Sequence, residues 1–175
     1  MSSKALDMAQ KALDLAWDGR VPVDPALLAS KLLVKPHGID GEGKKCLVVV
    51  RSVAGSDLAG ASSQASLEQA TDSLQYVCKY NRDEIIYRNR FAVAHELGHI
   101  MLGHVRAGEP PLRHHDYRDS TGEMKQANAF AAALLMPERF LRQVFESIES
   151  VQQMGEAFGV STEAAIYRLK ALRLI

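Results

Sequence analysis

The chain of 175 residues has little cysteine, few aromatic residues and no excess of either charge. Its two cysteines, Cys46 and Cys78, lie far apart and form no Cys-x-x-Cys pair, which argues against a cysteine-built zinc site and a disulfide scaffold. The 21 basic and 21 acidic residues give a formal net charge of +0, which argues against a generally basic nucleic-acid binder. The sequence lacks both a signal-peptide core and an apolar run of the roughly 20 residues that a membrane span needs. We therefore expect a cytoplasmic protein that does not associate with membranes.

What the chain does have is the composition of a globular domain, with 47% hydrophobic and 24% charged residues. Apolar residues recur at helical spacing along most of the sequence. The β-branched run 46–53 and the alternating stretch 75–80 predict strands. Residues 54–75 are rich in Ala, Ser, Gly and Gln and predict a loop, or a loop followed by a short helix. Helices are predicted at 3–17, at 85–102 and at 121–135. Another helix is predicted to start at Asp24-Pro25, and two or three short helices are predicted within 138–175.

A His-Glu-x-x-His motif occupies residues 95–99, inside the predicted helix 85–102. Residues four apart lie one turn apart on the same helix face, so His95 and His99 can point at one ion. Neutral imidazole is a good zinc ligand, and the carboxylate of Glu96 can take a proton from a water that the ion polarises. This pattern is typical of zinc-dependent peptide hydrolysis. The alternative is a charged helix face with two incidental histidines.

A catalytic zinc site normally has three protein ligands, so a third is expected outside the motif. One common arrangement places a histidine six residues after the second one, but Val105 stands at that position. His104 follows one residue earlier, and we interpret it as a loop residue near the site or in solvent.

The predicted helix 121–135 offers another candidate for the third ligand. Glu123 and Gln126 lie seven and four residues before Phe130, which marks the buried face of that helix. Because a carboxylate is an anionic ligand and an amide is a weak neutral one, we predict Glu123 as the third ligand. The alternative role of Glu123 is that of an acidic residue in the first turn of a helix.

Two blocks of sequence resemble the ImmA/IrrE family of zinc metallopeptidases: RFAVAHELGHIML at 90–102 and QANAFAAALLMP at 126–137. The similarity extends over about residues 5–140. It implies a mostly helical fold with a small antiparallel sheet beside the active-site helix. It also implies a cytoplasmic bacterial or phage-encoded enzyme that cleaves helix-turn-helix repressors and thereby regulates transcription.

The sequence departs from this family at one position. Many relatives have a glutamate at, or within one turn before, the Ala-Asn pair that is found here at 127–128. This chain has Gln126 directly before the pair and Glu123 one turn earlier. If the family ligand aligns with position 126, the zinc site is weakened or lost, and if a turn of slippage is allowed, Glu123 replaces it.

The segment 113–118 lies between the two predicted ligand helices and contains two histidines, a tyrosine and two arginines. One of these side chains could stabilise the oxyanion that forms during peptide hydrolysis. The alternatives are a solvated charged loop and a separate metal site formed by His114, His115 and Asp116.

The C-terminal stretch 151–172 resembles a helix-turn-helix, with Gly159-Val160 at the turn. DNA contact would use the basic residues Arg168, Lys170 and Arg173. A single basic cluster on a neutral protein is thin support for phosphate binding. We therefore favour a helical hairpin that closes the core or docks a repressor, and direct DNA binding is not favoured.

Together these patterns predict an α+β fold: a mostly helical, zincin-like metallopeptidase with a small antiparallel sheet next to the active-site helix and a helical C-terminus. Residues 1–137 form the predicted peptidase domain, and 138–175 form a helix-turn-helix-like segment packed on it. The predicted cofactor is Zn²⁺, held in a gluzincin-like set by His95, His99 and Glu123, with Glu96 as the catalytic residue. The predicted activity is endopeptidase cleavage of a helix-turn-helix repressor. The alternative is a non-catalytic regulator of the same fold that binds a repressor or DNA.

Overall fold

In the computed structural model, which describes residues 3–39, 44–118 and 121–175, helices pack around one mixed sheet. The helices are α1 (Ser3–Ala16), α2 (Pro25–Ser30), α3 (Ile86–Leu102), α4 (Gly122–Leu135), α5 (Glu138–Phe145), α6 (Val151–Phe158) and α7 (Thr162–Ala171), with a 3₁₀ helix at Gly55–Leu58. The strands are β1 (Leu33–Val34), β2 (Cys46–Val53), β3 (Ser63–Gln69), β4 (Leu74–Asn81) and β5 (Leu112–His114). The predicted α+β class is confirmed. No helix in the described ranges is both long and apolar enough to cross a membrane.

The strand order is β1-β2-β4-β3-β5, and the expectation of an antiparallel sheet is wrong at one pairing. Strands β2 and β4 are parallel, with Val50 opposite Cys78, whereas the other three pairings are antiparallel. The parallel pairing arises because the connection 54–62 leads from β2 to β3 and leaves room for one strand between them. The tight turn after β3 then returns β4 into that position, so β4 runs in the same direction as β2.

Strand β3 corrects both predictions for residues 54–75. The segment was predicted as a loop or as a loop followed by a short helix, but Ser63–Gln69 form a strand. Its first four residues, Ser63 to Ser66, are all buried. Small and polar side chains have low strand propensity, but here the segment has strand partners on both sides and α3 above it. Tertiary context therefore overrides the local preference.

Helix α3 is the central element of the core, and every residue from Ala92 to Leu102 is buried. It packs against β3 and β4 on one side and against α4 on the other. At the crossing with α4, Gly98 faces Phe130, whose side chain is fully buried. The absence of a side chain at Gly98 allows the two helices to approach closely at the level of the motif.

We expect Gly98→Leu to destabilise this crossing. A Cβ at position 98 would lie 3.1 Å from Phe130 Cδ1 and 3.2 Å from the carbonyl oxygen of Ala127, so a leucine side chain has no space. Overpacking of this kind lowers the free energy of unfolding by about 1–3 kcal/mol. For a chain of this size the melting temperature should fall by about 2–4 °C per kcal/mol, measured by calorimetry. Gly122→Ala is the control, because a Cβ at Gly122 meets nothing within 4 Å; an equal melting temperature for the two variants would contradict the prediction.

The C-terminal helices share the core of the chain. Trp17, directly after α1, makes an edge-to-face contact with Phe140 of α5, with ring centroids 5.0 Å apart. Arg168 of α7 is 3% exposed and its Nε donates to the carbonyl of Met136 at 3.3 Å. Arg168 is therefore not available to a DNA phosphate, although Lys170 and Arg173 are exposed. The domain boundary at 137/138 stays a prediction.

Candidate metal centre

Helix α3 carries the His-Glu-x-x-His motif into the interior, where the helix meets both the sheet and α4. His95 and Glu96 have no exposed surface, and His99 is 2% exposed. Because His95 and His99 are one turn apart, their rings share a face, and their Nε2 atoms approach to 3.0 Å. The two rings meet edge to face, at an interplanar angle of 67° with centroids 4.7 Å apart.

Asn128 on α4 sets the tautomer of His95. The Asn128 Nδ2 donates to the carbonyl of Tyr117 at 2.7 Å, which leaves its Oδ1 facing the His95 ring. His95 Nδ1 lies 2.8 Å from that oxygen and donates to it, since the oxygen can only accept. A neutral imidazole with its proton on Nδ1 has its lone pair on Nε2. His95 therefore directs a metal-binding nitrogen toward His99.

His104 and Gln126 set the tautomer of His99 by the same logic. His104 Nε2 lies 3.3 Å from Gln126 Oε1, which is an acceptor, so His104 Nε2 carries the proton. His104 Nδ1 is then an acceptor, and His99 Nδ1 donates to it at 3.0 Å. The lone pair of His99 is therefore also on Nε2. The loop residue His104 thus orients a motif histidine without facing the ion position itself.

The paired Nε2 atoms of His95 and His99 suit a cation that lies beside both of them. Two nitrogen lone pairs only 3.0 Å apart repel each other, and a positive charge near both removes that repulsion. Burial and the neighbouring imidazoles lower the pKa of His95 to about 3 and that of His99 to about 2, so a proton is disfavoured there near neutral pH. Neutral imidazoles are ligands for divalent metals such as zinc. The donor set therefore suits a metal ion.

The carboxylate of Glu96 is held through one oxygen only. Its Oε1 accepts a hydrogen bond from the Ser63 hydroxyl at 2.5 Å and another from His114 Nδ1 at 2.6 Å. Its Oε2 is buried and has no hydrogen-bond partner in the described part of the chain. Burial raises the pKa of Glu96, and the hydrogen bonds from His114 and Ser63 oppose that rise. Oε2 is thus an oriented acceptor with free capacity for a proton.

A second hydrogen bond supports Ser63 from the segment after β5. The hydroxyl of Tyr117 lies 2.8 Å from Ser63 Oγ, and because Ser63 donates to Glu96, Tyr117 donates to Ser63. Burial raises the pKa of Tyr117, so its hydroxyl stays protonated. The Tyr117 ring also lies beside the His95 ring, with centroids 4.8 Å apart. The hydrogen bonds from Tyr117 to Ser63 and from Ser63 to Glu96 therefore connect the segment 112–118 to helix α3.

Comparison with known proteins decides the family of this site. The sequence profile of the IrrE N-terminal-like domain of peptidase family M78 matches residues 50–170, which run from the middle of β2 through β3 to β5 and include all of α3 to α6. The chain belongs to this family. It is also 26% identical over 142 residues to Metallopeptidase ImmA of Bacillus subtilis (strain 168), covering 80% of this chain and 81% of that protein. A peptidase of this kind requires a metal ion, and the histidines of this M78 domain could bind one.

Within the M78 domain, the structure brings His95, Glu96 and His99 together but leaves Glu123 exposed on the first turn of α4. His114 lies near the motif instead: one ring nitrogen from each of His95, His99 and His114 lies within 4.8 Å of the other two. The role of Glu123 as a ligand stays a prediction.

Sequence reasoning placed His114 only among loop residues that could stabilise an oxyanion or bind a separate metal. The signal that could have found it was weak. Strand β5 is three residues long, and its partner β3 was not predicted as a strand.

Proposed function

We propose that this chain is a zinc-dependent endopeptidase in which His95 and His99 hold the zinc ion and Glu96 is the general base. One observation carries the proposal. The paired Nε2 atoms, 3.0 Å apart, lie beside a fully buried carboxylate that is held at Oε1 and has no partner at Oε2 among the described residues. This arrangement supplies both an ion position and a base next to it, as peptide hydrolysis requires. The gluzincin-like role of Glu123 stays a prediction.

The side chains of this site account for the proton movements of the reaction. Zinc, when bound, supplies a Lewis acid that polarises the scissile carbonyl and acidifies water. Glu96 Oε2 takes a proton from the water as the water oxygen bonds to the carbonyl carbon. It returns that proton to the amide nitrogen as the C–N bond breaks. Ser63 and His114 keep Oε1 in place, so the carboxylate holds one orientation through both transfers.

We further propose that the substrate is a helix-turn-helix repressor, cut in the cytoplasm, so that the enzyme regulates transcription. The proposal is supported by membership of the family and by the resemblance of the blocks at 90–102 and 126–137 to ImmA/IrrE proteins. The C-terminal pair α6–α7 leaves Ile166 and Tyr167 exposed on its surface, which suits contact with a protein rather than with DNA.

The proposal is tested by incubating the purified zinc-loaded protein with a helix-turn-helix repressor encoded beside its gene and measuring intact masses. We expect two fragments whose masses sum to that of the repressor plus one water. A chelator should stop the cleavage, and added zinc should restore it.

A repressor that binds the protein but stays intact with zinc present would contradict the peptidase proposal. That outcome would favour the alternative, a non-catalytic regulator. Gln126 is consistent with this alternative because a neutral amide at the position of the family's ligand would weaken the zinc site. A shift of labelled DNA by the protein alone would favour the DNA-binding form of that alternative.

A further inference from the structure

The three histidines of the cluster share one hydrogen-bonding pattern, which sequence spacing does not show. His95 Nδ1 donates to Asn128, His99 Nδ1 donates to His104, and the Nδ1 of His114 donates to Glu96. Metal-binding histidines almost always donate their second ring nitrogen to a carboxylate, an amide or another acceptor in this way. Each of the three rings therefore has Nε2 left for an ion.

We infer that His114 of β5 is the third protein ligand of the metal, so that the site holds zinc with three imidazoles. This inference rests on the proposed function and names a ligand set for it. One nitrogen from each ring lies within 4.8 Å of the others, and no other group of three or more His, Cys, Asp or Glu residues with this property occurs in the described ranges. The third ligand would thus come from the sheet rather than from α4.

The sheet register explains how His114 reaches the motif. His114 on β5 lies directly opposite Ser63 on β3. Residues directly opposite each other on neighbouring strands present their side chains on the same face of a sheet. Here that face lies under α3, and both side chains meet Glu96 Oε1. The pairing of β5 with β3 therefore places an imidazole next to the two motif histidines.

The two candidates on α4 are placed less well for this role. Glu123 is exposed, and its charge acts on His104, whose pKa it raises against the lowering effect of burial. Gln126 accepts a hydrogen bond from His104 and is a neutral amide, which is a weak ligand for zinc. His114 offers a neutral imidazole, the same ligand type as His95 and His99.

The ring of His114 has to turn for all three nitrogens to reach one ion. At present it stacks on His99 at an interplanar angle of 14° with centroids 4.6 Å apart, so one ion cannot lie in both ring planes. The side chain of His114 is 10% exposed, and its hydrogen bond to Glu96 can serve as a pivot for the turn. The same hydrogen bond would give Glu96 two functions: Oε1 orients a ligand and Oε2 accepts the proton.

Nitrogen NMR of the wild-type protein labelled with ¹⁵N-histidine tests the ligand set. Zinc is added to the metal-free full-length protein, and the imidazole nitrogen signals are followed. We expect the Nε2 signals of His95, His99 and His114 to move to the metal-bound position, with signals assigned through single His→Phe variants. Movement of only the two motif histidines would overturn the inference.

Zinc affinity gives an independent readout that does not depend on cleavage. In competition with a chromophoric chelator, His114→Ala and His114→Phe should weaken zinc binding by more than about 100-fold, which exceeds the usual effect of losing a residue that only orients a ligand. Glu123→Ala should stay within about tenfold of the wild type, and Gln126→Ala, which removes only the partner of His104, should cost no more than about 10- to 100-fold. Circular dichroism of each metal-free variant shows whether it is folded.

Failure of the inference can be distinguished from failure of the proposed function. If the wild type binds zinc and cleaves substrate, but Glu123→Ala or Gln126→Ala lowers the affinity more than His114→Phe does, only the ligand assignment is wrong. If the wild type binds no zinc at all, both the assignment and the proposed function are wrong.

Discussion

Replacing Glu96 with glutamine is expected to lower kcat for peptide cleavage by about 10²- to 10⁴-fold, the contribution of a positioned general base. The amide keeps the shape of the carboxylate, and its oxygen can still accept hydrogen bonds from Ser63 and His114. The group at the position of Oε2 becomes an NH₂, which cannot take a proton from water. Since Oε2 is the part of Glu96 without a partner among the described residues, this single atom is what the substitution removes.

The measurement is kcat and KM on one cleaved substrate, together with the zinc content of the same preparation. Glu96→Gln should retain zinc, because the carboxylate is not part of the proposed ligand set. The matched control is Glu109→Gln, the same change at an exposed glutamate of the loop after α3, which should leave both values unchanged. Activity of Glu96→Gln within threefold of the wild type would show that another group acts as the base.

Zinc is expected to raise the thermal stability of the metal-free protein substantially. The Nε2 atoms of His95 and His99 lie 3.0 Å apart in a buried position, so an ion that binds both nitrogens stabilises this arrangement. An ion that binds only the folded state stabilises it by about 4.1 kcal/mol when its concentration is about 1,000 times Kd. At about 2–4 °C per kcal/mol, the melting temperature should rise by roughly 8–16 °C.

Scanning calorimetry of the chelator-treated protein with and without zinc checks this expectation. His99→Ala should show no comparable rise, because it removes one of the paired nitrogens. Magnesium should have little effect on the wild type, since it prefers oxygen ligands and keeps its waters. An equal rise for the wild type and His99→Ala would mean that zinc binds elsewhere on the chain.

The helices were predictable from sequence because the signals that start and end them are local. The helix predicted to start at Asp24-Pro25 does so, and the carboxylate of Asp24 caps α2 by accepting hydrogen bonds from the backbone N–H groups of Ala26 and Leu27. The predicted helices 85–102 and 121–135 correspond closely to α3 and α4.

The sheet was less predictable because two of its pairings, β2 with β4 and β3 with β5, join segments far apart in sequence. Nothing near β3 in sequence indicates that β4 will lie between it and β2, or that β5 will pair along its other edge. The run Ser63–Gln69 becomes a strand because its backbone finds partners on both sides, and one of those partners, β5, lies in a distant segment. Local strand propensity does not depend on these partners, which is why both predictions for residues 54–75 were wrong at Ser63–Gln69.

The sequence by itself determined that His95 and His99 share a helix face, because a spacing of four residues is one turn of helix, and that Glu96 lies next to them. It also placed Asn128 in the block that resembles the family. Only the tertiary structure decided what surrounds the motif, because those contacts depend on the register of β5 on β3 and on how closely α4 approaches α3. The residues placed in this way are Ser63, His104, His114, Tyr117, Gln126 and Asn128.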